Sequence, residues 1–166
     1  MKARLLFIVL LAFSIQLVAA ESTIFLVRHA EKAVSEGAND KDPGLSEAGR
    51  ARAEALALIL KDARLGAVYA TEFKRTQETA APVARGAGIE VTIIAANDFD
   101  MLLTQLEETE NNVLVVGHSN TIPEILKALG VADSVTLGET DYDNLFVLTR
   151  GSPPELIRLH YQGSVR

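Results

Sequence analysis

The sequence predicts an α/β fold, a three-layer α/β/α sandwich with a mostly parallel central sheet. Three observations carry this. Short apolar runs alternate with helical patterns along most of the chain, and strands alternating with helices build parallel sheets. One run, NVLVVG at Asn112–Gly117, is continuously apolar, as expected of a strand covered on both faces. The 166 residues, 48% hydrophobic and 23% charged, suit one compact domain with a packed core.

The elements follow in order. Residues 23–27 (TIFLV) are rich in β-branched side chains and predict the first strand. A polar loop with Gly and Asp spans residues 33–44. Ser46 is a helix N-cap for a segment reaching about Lys61, its apolar face built from Ala and Leu. Gly66 precedes AVYA, a strand ending at Ala70. A second helix starts near Phe73 and is expected to kink or restart around Pro82, which removes an internal hydrogen bond. Gly86 and Gly88 end that helix before EVTII, another strand. Asn97 or Asp98 caps a helix running through Glu110, and NVLVVG follows. A helix over residues 121–129 and two closing strands, LFVLT and ELIRLHY, complete the chain.

The N-terminus has a targeting pattern. Lys2 and Arg4 precede an unbroken apolar run at residues 5–13, and Val18-Ala19-Ala20 supplies the small residues that signal peptidase needs. Residues 1–20 are therefore expected to be a signal peptide and residues 21–166 the mature domain, exported to a periplasm or secreted. The alternative is a retained anchor. Ser14 and Gln16 interrupt the stretch, which falls short of the ~20 apolar residues a span requires, so no stable membrane insertion is expected after cleavage.

Composition narrows the function. The net charge is −6 with no stripe of Lys or Arg, which argues against nucleic acid as a partner. The absence of cysteine excludes disulfides, thiolate metal sites and any cysteine nucleophile. No metal-ligand spacing such as HExxH occurs, and no metal or other cofactor is expected. Gly86-Ala87-Gly88 lacks the third glycine of a dinucleotide loop and follows a helix, so it is better explained as a helix end.

Parallel sheets place their sites at the carboxyl ends of strands. Arg28-His29 ends the first strand there, and His118 ends NVLVVG. Four segments then fall into a known order. They are LVRHAEK from Leu26, PGLSEAGRARAEAL from Pro43, YATEFKRTQETAAP from Tyr69 and VVGHSNTIPEIL from Val115. Together they resemble the motifs of the histidine phosphatase superfamily, with its phosphoglycerate mutase-like fold, and they cover nearly the whole mature chain.

The resemblance implies a phosphomonoesterase. His29 is the nucleophile, since neutral imidazole can take up a phosphoryl group as a phosphoramidate that water later hydrolyses. Arg28 and Arg75 bind the phosphoryl oxygens, for which planar guanidinium forks suit the spread transition-state charge. His118 lies across the pocket. The proton donor to the leaving group stays open among Asp98, Asp100 and Glu31, and Asp98 is equally a helix N-cap. His160, with no motif around it, is read as structural. Only 42 residues, Thr76 through Gly117, separate Arg75 from His118. Larger relatives insert capping segments in this region, so an open site is expected here. Its substrate is a phosphorylated one: a small phosphoester, a glycolipid or a phosphoprotein. The sequence carries no signal for oligomeric state.

Two rivals stand beside this reading. Gly117-His118-Ser119-Asn120-Thr121 resembles a nucleophile elbow, and Ser119 with Asp141 or Asp143 and His160 has the chain order of a serine hydrolase. Thr121 replaces the second glycine of that elbow, however, and Arg28, His29 and Arg75 would have no role. The other rival is a non-catalytic phosphate-binding module.

Overall fold

The computed structural model describes residues 22–34 and 40–163; the signal-peptide expectation for residues 1–20 lies outside them. Their elements run β1 (Thr23–Arg28), α1 (Glu47–Leu60), β2 (Leu65–Ala70), α2 (Lys74–Ala87), β3 (Val91–Ile93), α3 (Phe99–Glu108), β4 (Asn112–Gly117), α4 (Thr121–Ala128), β5 (Asn144–Thr149) and β6 (Glu155–His160). The six strands form one sheet in the order β3-β2-β4-β1-β5-β6. The first four are parallel; β5 runs antiparallel to β1, and β6 antiparallel to β5. Among the described residues no helix is long and apolar enough to cross a membrane.

The strand pleat sorts the core into two layers. Val27, Val68, Leu114, Val116 and Leu145 point to one face and pack against Leu56 and Leu60 of α1 and Ala80, Val83 and Ala84 of α2. Ile24, Leu26, Val113, Val115, Phe146 and Leu148 point to the other, against Leu106 of α3 and Ile122, Ile125 and Leu126 of α4. Alternate residues facing opposite layers is the period-2 signature of a strand buried on both sides. The three-layer α/β/α sandwich expected from the sequence is what forms.

Local chemistry sets the boundaries. Ser46 accepts the Gly49 N–H at 3.0 Å and starts α1. Gly88, at φ +71°, ends α2 in the left-handed conformation that glycine adopts without strain. Asp98 caps α3 by accepting the Met101 N–H at 3.3 Å. Helix α3 stops at Glu108, two residues before its expected end. Strand β3 keeps only three of the five residues in EVTII, because it is an edge strand with β2 as its single neighbour.

Pro82 departs from expectation. Helix α2 does not restart there but runs as one element over Lys74–Ala87. Pro82 is buried, with Ala80, Val83 and Ala84 around it packed into the core. That burial offsets the ~3 kcal/mol that an internal proline typically costs.

Candidate active site

The register of the two central strands builds the site. β1 and β4 are parallel with Arg28 opposite Gly117, and the His29 N–H continues the ladder by donating to the Gly117 carbonyl at 2.9 Å. His29 and His118 therefore leave adjacent strand ends side by side, their ring centroids 5.4 Å apart in an edge-on arrangement. Both are buried, at 4% and 9% exposure. They line a cleft of about 420 Å³ together with Arg28, Arg75, Ser119 and Glu139.

His29 is held in one tautomer. Its Nδ1 lies 2.8 Å from the Ala30 carbonyl, which can only accept, so Nδ1 carries the proton and Nε2 keeps the lone pair. The following peptide is fixed from α2: the Ala30 N–H donates to Thr79 Oγ1 at 3.0 Å, and that hydroxyl donates to the Arg75 carbonyl at 2.7 Å. One threonine thus couples the histidine strand to the helix turn that bears Arg75. The Gly49 position of α1 meets the same loop from another side. A Cβ there would sit 2.1 Å from the Glu31 carbonyl oxygen, so only glycine permits this close approach.

Arg28 is 4% exposed. One terminal nitrogen donates to the Gly138 carbonyl at 2.8 Å; the other lies 3.4 Å from Glu139 Oε2. The guanidinium sits 4.4 Å above the Tyr142 ring, a favourable cation–π contact. Its buried Nε has no hydrogen-bond partner. Arg75, near the start of α2, stacks 4.3 Å from the Phe73 ring and approaches Asp42 Oδ1 at 3.6 Å. His118 is oriented by Thr71, whose Oγ1 lies 3.1 Å from Nε2. Thr71 in turn contacts the Thr76 hydroxyl at 2.9 Å, and Thr76 donates to the Phe73 carbonyl at 2.7 Å. The two threonines of RTQET therefore act as braces for the two histidines.

The electrostatics favour neutral rings. Burial lowers His29 from 6.5 to about 4; the Ala30 bond opposes this, and the nearby Arg28 and Arg75 charges reinforce it. Burial also lowers His118 to about 4, with Arg75 adding to the effect and Glu72 opposing it. At neutral pH both imidazoles are uncharged and the guanidiniums carry the positive charge.

The structure gathers Arg28, His29, Arg75 and His118 around one cleft. It does not bring the three candidate proton donors there. Asp98 is occupied as the α3 cap, and Asp100 is exposed in the first turn of α3. Glu31 is gripped by Arg52 through contacts of 2.6–3.0 Å. Burial works to raise Glu31, but the Arg52 hydrogen bonds and charge outweigh it and hold the carboxylate below its usual range.

The serine-hydrolase constellation is not assembled. His160 Nδ1 pairs with Asp143 at 3.0 Å on the exposed β6 edge. Asp141 accepts the Gly138 N–H, and Ser119 contacts Glu139. Three strand spacings, about 14 Å, separate the ends of β4 and β6. Among the described residues no three His, Asp or Glu side chains cluster as a metal site would. Sequence reasoning missed Thr71, Thr79, Glu139 and Tyr142. The turn-rich GETDYD segment before β5 was the available hint for the last two.

The model of the histidine phosphatase superfamily (branch 1) matches residues 24–98, a stretch that holds Arg28, His29 and Arg75 and ends before His118. A solved structure assigned as the phosphohistidine phosphatase SixA from Agrobacterium tumefaciens has a TM-score of 0.67 at 27% identity, covering 85% of this chain and 99% of that one. The protein histidine phosphatase SixA complexed with tungstate gives 0.68 at 17% identity, over 83% and 96%. A mycobacterial glucosyl-3-phosphoglycerate phosphatase gives 0.65 at 14%, over 87% and 100%. The last two share the fold. No curated protein matches the chain significantly by sequence. Residues 24–98 belong to the histidine phosphatase superfamily (branch 1), and the chain is an enzyme of the phosphatase class.

Proposed function

We propose that the protein is a phosphomonoesterase that works through a phosphohistidine on His29. The observation that carries this is the fixed tautomer: with Nδ1 donating to the Ala30 carbonyl, a buried neutral ring offers Nε2 as nucleophile within a cleft of guanidiniums. Nε2 attacks phosphorus, the P–N bond forms and the ester P–O bond breaks; water later displaces the histidine and releases phosphate. Arg28 and Arg75 stabilise the charge on the transferring oxygens. A phosphoryl dianion beside His118 reverses the effect of burial and favours its imidazolium, which can donate to the same oxygens.

The substrate in this reading is a phosphorylated small ester, glycolipid or protein, and the N-terminal pattern supports export to a periplasm or secretion. N-terminal sequencing of the protein from an extracytoplasmic fraction should then begin at Glu21. The mechanism is tested by brief reaction with labelled p-nitrophenyl phosphate, which should leave an acid-labile, base-stable adduct that disappears in His29→Ala. Turnover without such an adduct, or full activity in His29→Ala, overturns the reading. Phosphate binding with no turnover favours a non-catalytic module.

A further inference from the structure

We propose that Glu139 is the proton donor to the leaving group, an inference that rests on the phosphohistidine reading above. Among the described residues, Glu139 is the one carboxylate that lines the cleft with His29. The neighbouring acids are engaged elsewhere. Glu72 accepts the Ala96 N–H at 2.8 Å, Asp42 accepts the Lys74 N–H, Glu78 accepts the Leu45 N–H, and Glu31 is held by Arg52. Glu139 lies between two groups that face the reacting atoms: Oε2 is 3.4 Å from an Arg28 terminal nitrogen, and Ser119 Oγ is 3.5 Å from Oε1.

The carboxylate is positioned by backbone. Gly138 N–H donates to Asp141 Oδ2 at 2.8 Å, and Asp141 N–H donates back to the Gly138 carbonyl at 3.2 Å. The resulting turn is pinned to the site because the Gly138 carbonyl also accepts from Arg28 at 2.8 Å. Arg28 thus sets both the phosphoryl oxygens and, through Gly138, the acid. Phosphoryl binding takes over the edge of Arg28 that Glu139 now touches. The carboxylate then stands beside the bound phosphoryl group.

The proton balance closes over two steps. As His29 Nε2 bonds to phosphorus and the P–O bond breaks, the Glu139 proton passes to the departing oxygen and leaves R–OH and a carboxylate. As water attacks phosphorus and the P–N bond breaks, the carboxylate takes the water proton and the acid is restored.

Leaving groups test this directly. p-Nitrophenolate departs without a proton, whereas an alkoxide does not. First-turnover rates should be measured by rapid quench for wild type, Glu139→Gln and Glu139→Asp with p-nitrophenyl phosphate and butyl phosphate. A positioned acid contributes about 10²–10⁴-fold. Glu139→Gln should therefore slow butyl phosphate at least ~10² more than the nitrophenyl ester, and Glu139→Asp should recover part of that difference. Adduct formation in Glu139→Gln shows that the variant is folded. Equal slowing of both esters overturns the proposal in favour of an electrostatic role. No slowing, with tighter binding of inorganic phosphate, overturns it in favour of a carboxylate that competes for Arg28. If wild type forms no adduct, the phosphohistidine reading falls and this proposal with it; an adduct with equal slowing sinks this proposal alone.

Discussion

Two arginines in this molecule have nearly the same neighbours and opposite characters. Arg28 sits over Tyr142 and beside Glu139; Arg52 sits over Tyr161 and beside Glu31. Both guanidiniums also donate to a backbone carbonyl, Gly138 in one case and Tyr161 in the other. The difference is saturation. Arg52 meets both oxygens of Glu31 at 2.6–3.0 Å, a bidentate pair that raises the arginine and lowers the carboxyl group. Arg28 has one 3.4 Å contact to an exposed carboxylate and a buried Nε with no partner. A satisfied fork ties α1 to the chain after His29. An unsatisfied one, beside a histidine with a free lone pair, is suited to an external anion. Residue type and neighbourhood alone do not separate structure from function; leftover hydrogen-bonding capacity does.

The sharpest way to break this comparison is to delete each arginine and measure both stability and turnover. Arg28→Ala should lower kcat by ~10²–10³, as loss of a transition-state donor typically does, while the melting temperature falls by less than in Arg52→Met. Arg52→Met should do the reverse. It leaves Glu31 without its partner and should cost about 2 kcal/mol of stability, as hydrogen bonds to charged groups commonly do, with kcat of the folded fraction near wild type. Similar kcat losses in the two variants would show that saturation does not distinguish their roles.

Much of this was legible in the sequence, for identifiable reasons. β1 and β4 are continuous apolar runs whose ends coincide with Arg28-His29 and Gly117-His118, so the location of the cleft follows from the strand rule. The residues that complete it come from segments without periodicity. Glu139 and Tyr142 reach Arg28 across more than a hundred residues of chain through an irregular loop. That loop also contributes Glu139 to the lining of the cleft. Glu31, two residues past the nucleophile, looked available as an acid because nothing in sequence pairs it with Arg52, which is 21 residues away. Pro82 marks a helix break locally, yet packing across α2 overrides it. Each departure comes from a tertiary contact.

The smallest effect concerns acid, and it separates the two arginine regions by pH. His29 and His118 titrate at about 4 in the fold, against an ordinary 6.5. Between those values the unfolded chain binds protons that the folded chain does not, so stability is full above about 6.5 and is lost as pH falls toward 4. Glu31 is lowered in the fold from 4.5; its contribution is present above 4.5 and is lost only as pH falls below that. The window from 6.5 down to 4.5 therefore reports the Arg28 side alone. Denaturation midpoints should decline through this window in wild type and in Arg52→Met alike, and the slope should flatten when His29 and His118 are both replaced by Gln. Within the same window the nucleophile stays neutral. After correction for ionisation of the substrate itself, kcat/KM for p-nitrophenyl phosphate, whose leaving group needs no proton, should not fall from pH 7.5 to 5.5, where a nucleophilic histidine of ordinary pKa would lose about tenfold. An acid limb near 6.5, or a slope that vanishes in Arg52→Met, would mean that burial does not hold the His29 ring neutral.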